Sequence, residues 1–316
     1  MVFERSIVTR RRRAIVFSVV AISLSLAACS SGNTTSAPSS GPTGSAAASS
    51  DAVSSRAAVA SGSSDPSAVS DSLAFTGQDE VAWNYSGDNG PENWGSIAPE
   101  CDPDASGSQS PIDIELAGLV TEAPSTTSAL TINYLPTLFD VENTGRTIEA
   151  VPHDLDANFI TIDDKKYYLL QFHLHNPSEH TIDNASFGME LHLVNKSDDG
   201  ALAVLGVLMN AGKEDEVLAE LFNKLPTTKT DEQSSVELEE KIDPTDLIPA
   251  ESKVARYSGS LTTPPCTEPV IWSVFLTPSA VSDPQLAALG GIFPGNHRPT
   301  QPLNGRIVNE VGSTIQ

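Results

Sequence analysis

Three histidines between positions 173 and 192 have the types and spacing of a metal site: His173 and His175 in Gln171-Phe172-His173-Leu174-His175, and His192 in Glu190-Leu191-His192. Side chains alternate faces along an extended strand, so His173 and His175 project from one side, and a neighbouring strand could bring His192 to them. Three neutral imidazoles leave one position of a tetrahedral zinc open, a catalytic arrangement, whereas structural zinc sites close all four positions with protein. The histidine pair by itself leaves open two surface or hydrogen-bonded side chains. The chain has 6 His, however, and four of them fall between positions 173 and 192. Gln171 and Glu190 each stand two residues before a histidine, on the same face. There a side-chain oxygen can accept a hydrogen bond from the far ring nitrogen and set the tautomer of a metal-bound imidazole.

The elements that must position these residues are short β-type runs at 129–134, 147–151, 159–162, 167–174, 189–195, 203–209 and 270–276, separated by Gly, Pro, Asn or Asp. Helices are expected at the periphery, at 214–223, where Val217, Leu218, Leu221 and Phe222 recur at helical spacing, and at 284–289. The pattern predicts a predominantly β domain of the α+β kind.

The 316 residues divide into unlike parts. Four arginines at 10–13 precede an apolar stretch at 14–26, and Leu26-Ala27-Ala28-Cys29 follows. This resembles the lipobox of a bacterial lipoprotein, which implies a signal peptide over 1–28 and lipid on Cys29; an ordinary secretory signal is the alternative. The apolar stretch is short for an uncleaved membrane anchor, and the arginines also permit twin-arginine export. Residues 29–74, rich in Ser, Ala, Gly, Thr and Pro, cannot bury a core and read as a flexible tether. Residues 75–316 amount to one domain. The expected location is outside the cytoplasm, lipid-anchored on the outer face of the bacterial cell membrane or periplasmic.

Formal net charge is −23, and without residues 1–28 it is −27, from 13 basic and 40 acidic side chains. Such a chain is no partner for nucleic acid, and it would not adhere electrostatically to anionic lipid. Membrane association would therefore come from the acyl chains on Cys29. Of the 3 Cys, lipid on Cys29 leaves Cys101 and Cys266 in an oxidising compartment, where a disulfide is expected in preference to two buried thiols. It would close a loop of about 165 residues, for which chain entropy gives about 5 kcal/mol as an upper figure.

Further motifs carry a family resemblance: Trp83-Asn84-Tyr85, Gly90-Pro91-Glu92-Asn93-Trp94-Gly95, Ser108-Gln109-Ser110-Pro111-Ile112-Asp113, Ser178-Glu179-His180, Ser260-Leu261-Thr262-Thr263-Pro264-Pro265 and Arg298-Pro299-Thr300-Gln301-Pro302-Leu303. Together with the histidine segments, their order and spacing from Ala82 to Arg306 are similar to those of alpha-class carbonic anhydrases. The resemblance implies a large twisted, mostly antiparallel central sheet with a few short peripheral helices. It also implies reversible hydration of carbon dioxide to bicarbonate and a proton, by hydroxide on a zinc held by His173, His175 and His192. Thr262 would accept a hydrogen bond from the nucleophile and give its own proton to Glu179, so that the pair aims it. His180 and Tyr257 would support the ligands together with Gln171 and Glu190. Carbon dioxide has no net dipole, and Val194, Val204, Leu261, Thr263, Val270 and Trp272 would line its pocket.

The departure is Arg146, which stands where fast members carry a proton-shuttling histidine. A guanidinium stays protonated through the working pH range and cannot accept the proton. Proton transfer should then depend on buffer unless Glu149, Tyr85 or His153 substitutes, and an ordinary Glu149 would be too acidic to be efficient. The rival from another class is a binding lipoprotein on the same fold, although such modules typically lack one or more zinc ligands. A zinc protease would need a His-Glu-x-x-His helix, which the sequence lacks. Labelled palmitate is expected to enter the wild type and not Cys29→Ala; equal labelling of both would refute lipid attachment at Cys29.

Overall fold

The computed structural model of the protein describes residues 83–102, 104, 107–121, 129–230, 234–250 and 253–316. The expected leader at 1–28, the tether at 29–74 and Cys29 lie outside the described residues. Ten strands make up most of one sheet: β1 (Leu130–Asn133), β2 (Phe139–Asn143), β3 (Ile148–Pro152), β4 (Phe159–Ile162), β5 (Lys165–His175), β6 (Met189–Lys196), β7 (Leu202–Ala211), β8 (Lys253–Gly259), β9 (Val270–Val281) and β10 (Asn309–Ile315). Val120–Thr121 and Val236–Glu237 complete 12 strands. From Val236–Glu237 the order runs β2-β3-β5-β4-β1-β10-β8-β9-β7-β6, with a further pairing of β5 to β6. Pairing is parallel where β7 meets β9 and where β10 meets β1 and Val120–Thr121, and antiparallel elsewhere in this sheet. This is the large, mostly antiparallel sheet that the family resemblance implies.

The apolar side chains sort onto two faces. Leu191 and Leu193 of β6 and Leu205 and Val207 of β7 pack in one cluster with Phe139, Val141 and Phe275. Val194, Val204, Trp272 and Val274, of the opposite parity, pack in a second cluster with Ile112 and Tyr257. His192 shares the parity of Val194 and so faces the second side.

Simple alternation would fail to bring the other two histidines there. Tyr167 and Leu169 of β5 belong to the first cluster, and so do Phe172 and Leu174, which strict alternation would place on opposite faces. The register explains it: Leu169 pairs with Asn195 and Gln171 with Val194, so a bulge adds Leu170 to β5 and resets its parity. Upstream of the bulge Tyr167 and Leu169 stay in the core. Downstream, Gln171, His173 and His175 emerge on the face of His192.

Five of these 12 strands escaped the sequence pattern, the two-residue Val120–Thr121 and Val236–Glu237 among them. β2 and β8 mix charged residues with apolar ones, and β10 buries only Val311. The helix expected at 214–223 is shorter, Ala219–Asn223, because Asp215 Oδ1 accepts from the N–H groups of Val217 and Leu218 at 3.0 and 3.1 Å and makes a side-chain-closed turn instead. The helix expected at 284–289 is longer, Asp283–Ile292, started by a capping box between Ser282 and Gln285. Cys101 and Cys266 form the expected disulfide, with their Cα atoms 5.1 Å apart, packed with Trp94.

Deleting Leu170 is expected to abolish the cooperative thermal transition, since either Tyr167 and Leu169 or the histidine face must then point the wrong way. Leu170→Ala keeps the residue count and should cost no more than about 2 kcal/mol. A deletion variant that unfolds at the wild-type temperature would show that the bulge does not set the parity.

Candidate metal centre

His173 on β5 lies directly opposite His192 on β6, and His175 follows two residues along. The ring centroids of His173, His175 and His192 are 4.9, 5.2 and 4.6 Å apart, pair by pair. One nitrogen of each ring is taken. His173 Nδ1 donates to Gln171 Oε1 at 2.8 Å, His175 Nδ1 to the Asn296 carbonyl at 2.6 Å, and His192 Nε2 to Glu190 Oε1 at 2.8 Å. These oxygens only accept, so each proton sits on the nitrogen that faces them and the other nitrogen keeps a lone pair.

The three residues offer ligand atoms within 4.8 Å of one another. His175 Nε2 is buried with no hydrogen-bond partner, and so is Glu179 Oε2, which lies 3.6 Å from it and 3.9 Å from His192 Nδ1. Burial lowers the pKa of all three imidazoles, His173 far below the usual value and His175 to about 4, so they are neutral at pH 7. A buried acceptor nitrogen left unpaired is costly, and neutral imidazoles converging on one point are what a metal requires. This donor set can hold a metal ion. His180, Glu190 and His192 also lie close enough to be ligands, but their facing atoms are spent on each other: His180 Nδ1 and His192 Nε2 both donate to Glu190 Oε1.

Glu190 is fully buried, and its other oxygen accepts from the N–H groups of Glu179 and His180 at 2.9 and 2.8 Å. Burial alone would raise its pKa, but the charges and hydrogen bonds of His180 and His192 outweigh burial and hold the carboxyl well below its usual range. His180 Nε2 in turn meets the Tyr257 hydroxyl at 2.6 Å, and that hydroxyl meets Ser110 Oγ at 2.8 Å. Tyr257 is thus linked by hydrogen bonds to the triad through His180 and Glu190. Ser110 and Ser260 exchange hydrogen bonds of 2.9 and 3.1 Å, so the same chain of contacts ends two residues before Thr262.

Thr262 is buried beside the Glu179 carboxylate and helps to lower its pKa, and Glu179 Oε1 accepts from the Arg298 N–H at 2.8 Å. Burial pushes the Glu179 pKa up to about 7, against the lowering influence of His192, Thr262 and Arg298. Val194, Val204, Val270 and Trp272 are buried together with Leu261 packed against them, and the carbonyl of half-buried Thr263 accepts from the Cys266 N–H at 2.8 Å.

The residues considered for proton transfer are distributed unevenly. His153 pairs with Asp140 Oδ2 at 3.1 Å, four residues beyond Glu149 and so about 13 Å along the strand direction; the fold does not bring it to the triad. Tyr85 stacks edge-on against Trp83 and Trp94, and burial, then the charge of Glu179, raises its pKa well above the usual value. Glu149 is half-buried directly opposite His173, and its pKa is pushed up to about 7 by burial and then by Glu142, its partner on β2. The sequence leads one to expect an ordinary carboxylate acidity at Glu149; burial works against it, because water cannot fully solvate the charge there. The Arg146 guanidinium sits 4.0 Å above the Trp83 ring, a cation–π contact that ties the turn between β2 and β3 to the first described residue.

Asn296 was invisible in the sequence. Besides its carbonyl on His175, its side chain donates to the carbonyls of Arg146 and Leu174 and accepts from the Asn176 N–H. A ligand-orienting backbone carbonyl leaves no residue-type signature. Arg298 lay within a recognised motif, but its contacts did not show: the guanidinium donates to Gln109 Oε1 and to the carbonyls of Ser110 and Cys101, each at 2.7 Å.

The model of the eukaryotic-type carbonic anhydrase family matches residues 89–312. A carbonic anhydrase of Nostoc sp. is 38% identical over 231 residues, covering 73% of this chain and 86% of that protein. One from Neisseria gonorrhoeae is 38% identical over 231 residues, covering 72% and 87%. Among solved structures, the alpha-carbonic anhydrase of Thermovibrio ammonificans in complex with the inhibitor sulfanilamide superposes with a TM-score of 0.67 at 38% identity, covering 72% of this chain and 98% of that one.

Proposed function

From the premise that the chain belongs to the eukaryotic-type, or alpha, carbonic anhydrase family, we propose that it hydrates carbon dioxide reversibly to bicarbonate and a proton with zinc held by His173, His175 and His192. The observation that carries this reading is the convergence of three neutral imidazoles, each with its outward nitrogen already satisfied and, at His175, an inward nitrogen buried without a partner. Zinc, when bound, supplies a Lewis acid that brings the pKa of water near 7, a value known for carbonic anhydrases and not obtained from this structure.

The other residues orient and exclude. Thr262, buried beside Glu179, can give that carboxylate its proton; its oxygen would then be free to accept one, so a nucleophile bound there would present a lone pair away from Thr262. Arg298 N–H and the N–H donation of Glu179 to Glu190 hold Glu179 at both ends. Val194, Val204, Leu261, Val270 and Trp272 offer an apolar wall to a substrate without a dipole. The chain keeps all three candidate metal-binding histidines together with Thr262 and Glu179, which favours the enzyme over a binding module. Lipid on Cys29 would hold the domain at a membrane outside the cytoplasm; this rests on the lipobox sequence alone.

The proton must then leave without a histidine at position 146. The Arg146 guanidinium is engaged with Trp83 and has no basic form to offer. Glu149 stands directly opposite His173, but a divalent cation there would pull its pKa back toward the ordinary carboxylate range. An acid of pKa about 7 that releases its proton to water unaided is limited to ~10³–10⁴ s⁻¹ by recombination at near-diffusional rates, against about 10⁶ s⁻¹ with a shuttle.

Wild type is expected to bind one zinc per chain and hydrate carbon dioxide, and His192→Ala to lose both, measured by metal analysis and stopped-flow; a zinc-free or inactive wild type would favour the binding module. The hydration rate should rise with imidazole concentration, and Arg146→His should raise the rate at low buffer about tenfold or more. A high rate in wild type that ignores buffer would sink the shuttle-free reading and turn attention to Glu149.

A further inference from the structure

Across the face that carries the triad, side chains form a row from strand to strand: Glu142, Glu149, His173 and His192 oppose one another in turn on β2, β3, β5 and β6. The next member of the row, on β7, is Gly206, and beyond it on β9 is Val274. The row therefore has a gap immediately beside a candidate metal ligand. The carboxylate of Glu190 occupies it: a Cβ on Gly206 would lie 3.0 Å from Glu190 Oε1 and 3.3 Å from Val274 Cγ2.

Backbone conformation does not demand glycine here, because the φ of Gly206 is outside the left-handed region. What demands it is space, and Glu190 cannot cede any without consequence. Its Oε1 is held at 2.7 Å by His180 Nδ1 and at 2.8 Å by His192 Nε2, and its Oε2 by two backbone N–H groups. A displacement of a few tenths of an ångström must pass to the histidine rings, since the other side is closed by Val274.

We propose that Gly206 is a positioning residue for the metal site, acting through Glu190: the absent side chain is the seat of the carboxylate that orients His192. The inference rests on the metal reading of the triad. Removing or displacing a group that orients a metal-bound histidine typically weakens metal affinity 10–100-fold, and Gly206→Ala should do so by displacement, with every ligand still in place.

The test is a double-mutant cycle on the full chain, reading zinc affinity by competition with a chromophoric chelator and folding by thermal unfolding of the metal-free protein. Gly206→Ala is expected to weaken zinc binding at least tenfold. In the Glu190→Ala background the added methyl meets no carboxylate, so the same substitution should change zinc affinity less than about twofold. If Gly206→Ala does not fold, the pair Glu190→Ala and Glu190→Ala/Gly206→Ala decides: a folded double variant with the affinity of Glu190→Ala supports the proposal, and a double variant that also fails to fold overturns it. Unchanged zinc affinity in Gly206→Ala, or an equal loss in both backgrounds, overturns it as well. A wild type that binds no zinc removes the metal reading and this inference with it, whereas tight binding by wild type and Gly206→Ala alike removes this inference alone.

Discussion

An ionised carboxylate is costly to bury unless its oxygens are hydrogen-bonded, and Glu190, fully buried, has both of its oxygens so satisfied. Four donors surround it: two imidazoles and two backbone N–H groups. Each donor then has its own position dictated. His192 is turned so that Nδ1 points away from the carboxylate, the segment at Glu179 and His180 is drawn against β6, and His180 is left to reach Tyr257. A chain of hydrogen bonds therefore joins a metal-facing histidine to Ser110 and Ser260, and so to the loop of Thr262. The position of the Thr262 loop and the orientation of His192 are thus linked through one buried anion.

The sheet makes this possible by separating chemistry from cohesion. One face is packed with buried Phe, Leu, Ile, Val and Met, and supplies the hydrophobic stabilisation that a polar, buried site cannot. The other face carries the histidines beside a second apolar cluster containing Val194, Val204, Val270 and Trp272. Because strand parity decides the face, the bulge at Leu170 has a chemical consequence: it permits β5 to contribute core residues along its whole length and still deliver His173 and His175 to the site.

Segments far apart in the chain close around that face. Asn296 joins His175 to the turn that carries Arg146. Arg298 touches Glu179 through its N–H and the Cys101 region through its guanidinium. The disulfide links Cys101 to Cys266 just beyond Thr262 and Thr263. The guanidinium of Arg298 is almost completely buried, and burial lowers its pKa to about 10. It is still protonated at neutral pH, and its carbonyl and amide partners are what make that charge tolerable.

Residue type and spacing were enough to pick out His173, His175 and His192 and their partners Gln171 and Glu190, because ligand chemistry and two-residue strand periodicity are local properties; the pairing of Cys101 with Cys266 followed from counting, since lipid on Cys29 leaves two of the 3 Cys. The family was legible for the same reason: its motifs are short runs of residue types, from Trp83 to Leu303. Other features needed the folded chain. The bulge at Leu170 is a difference in count between two strands and has no meaning in one. Asn296 acts through a carbonyl that every residue possesses, and Gly206 matters for an atom it lacks, beside a carboxylate 16 residues away in sequence. The pKa of Glu149 follows from burial opposite His173 and beside Glu142, which neighbours in sequence do not reveal. Sequence by itself determined which groups could do the chemistry; tertiary structure alone decided where their protons, charges and unoccupied space would lie, because solvation and steric exclusion depend on what surrounds an atom in three dimensions.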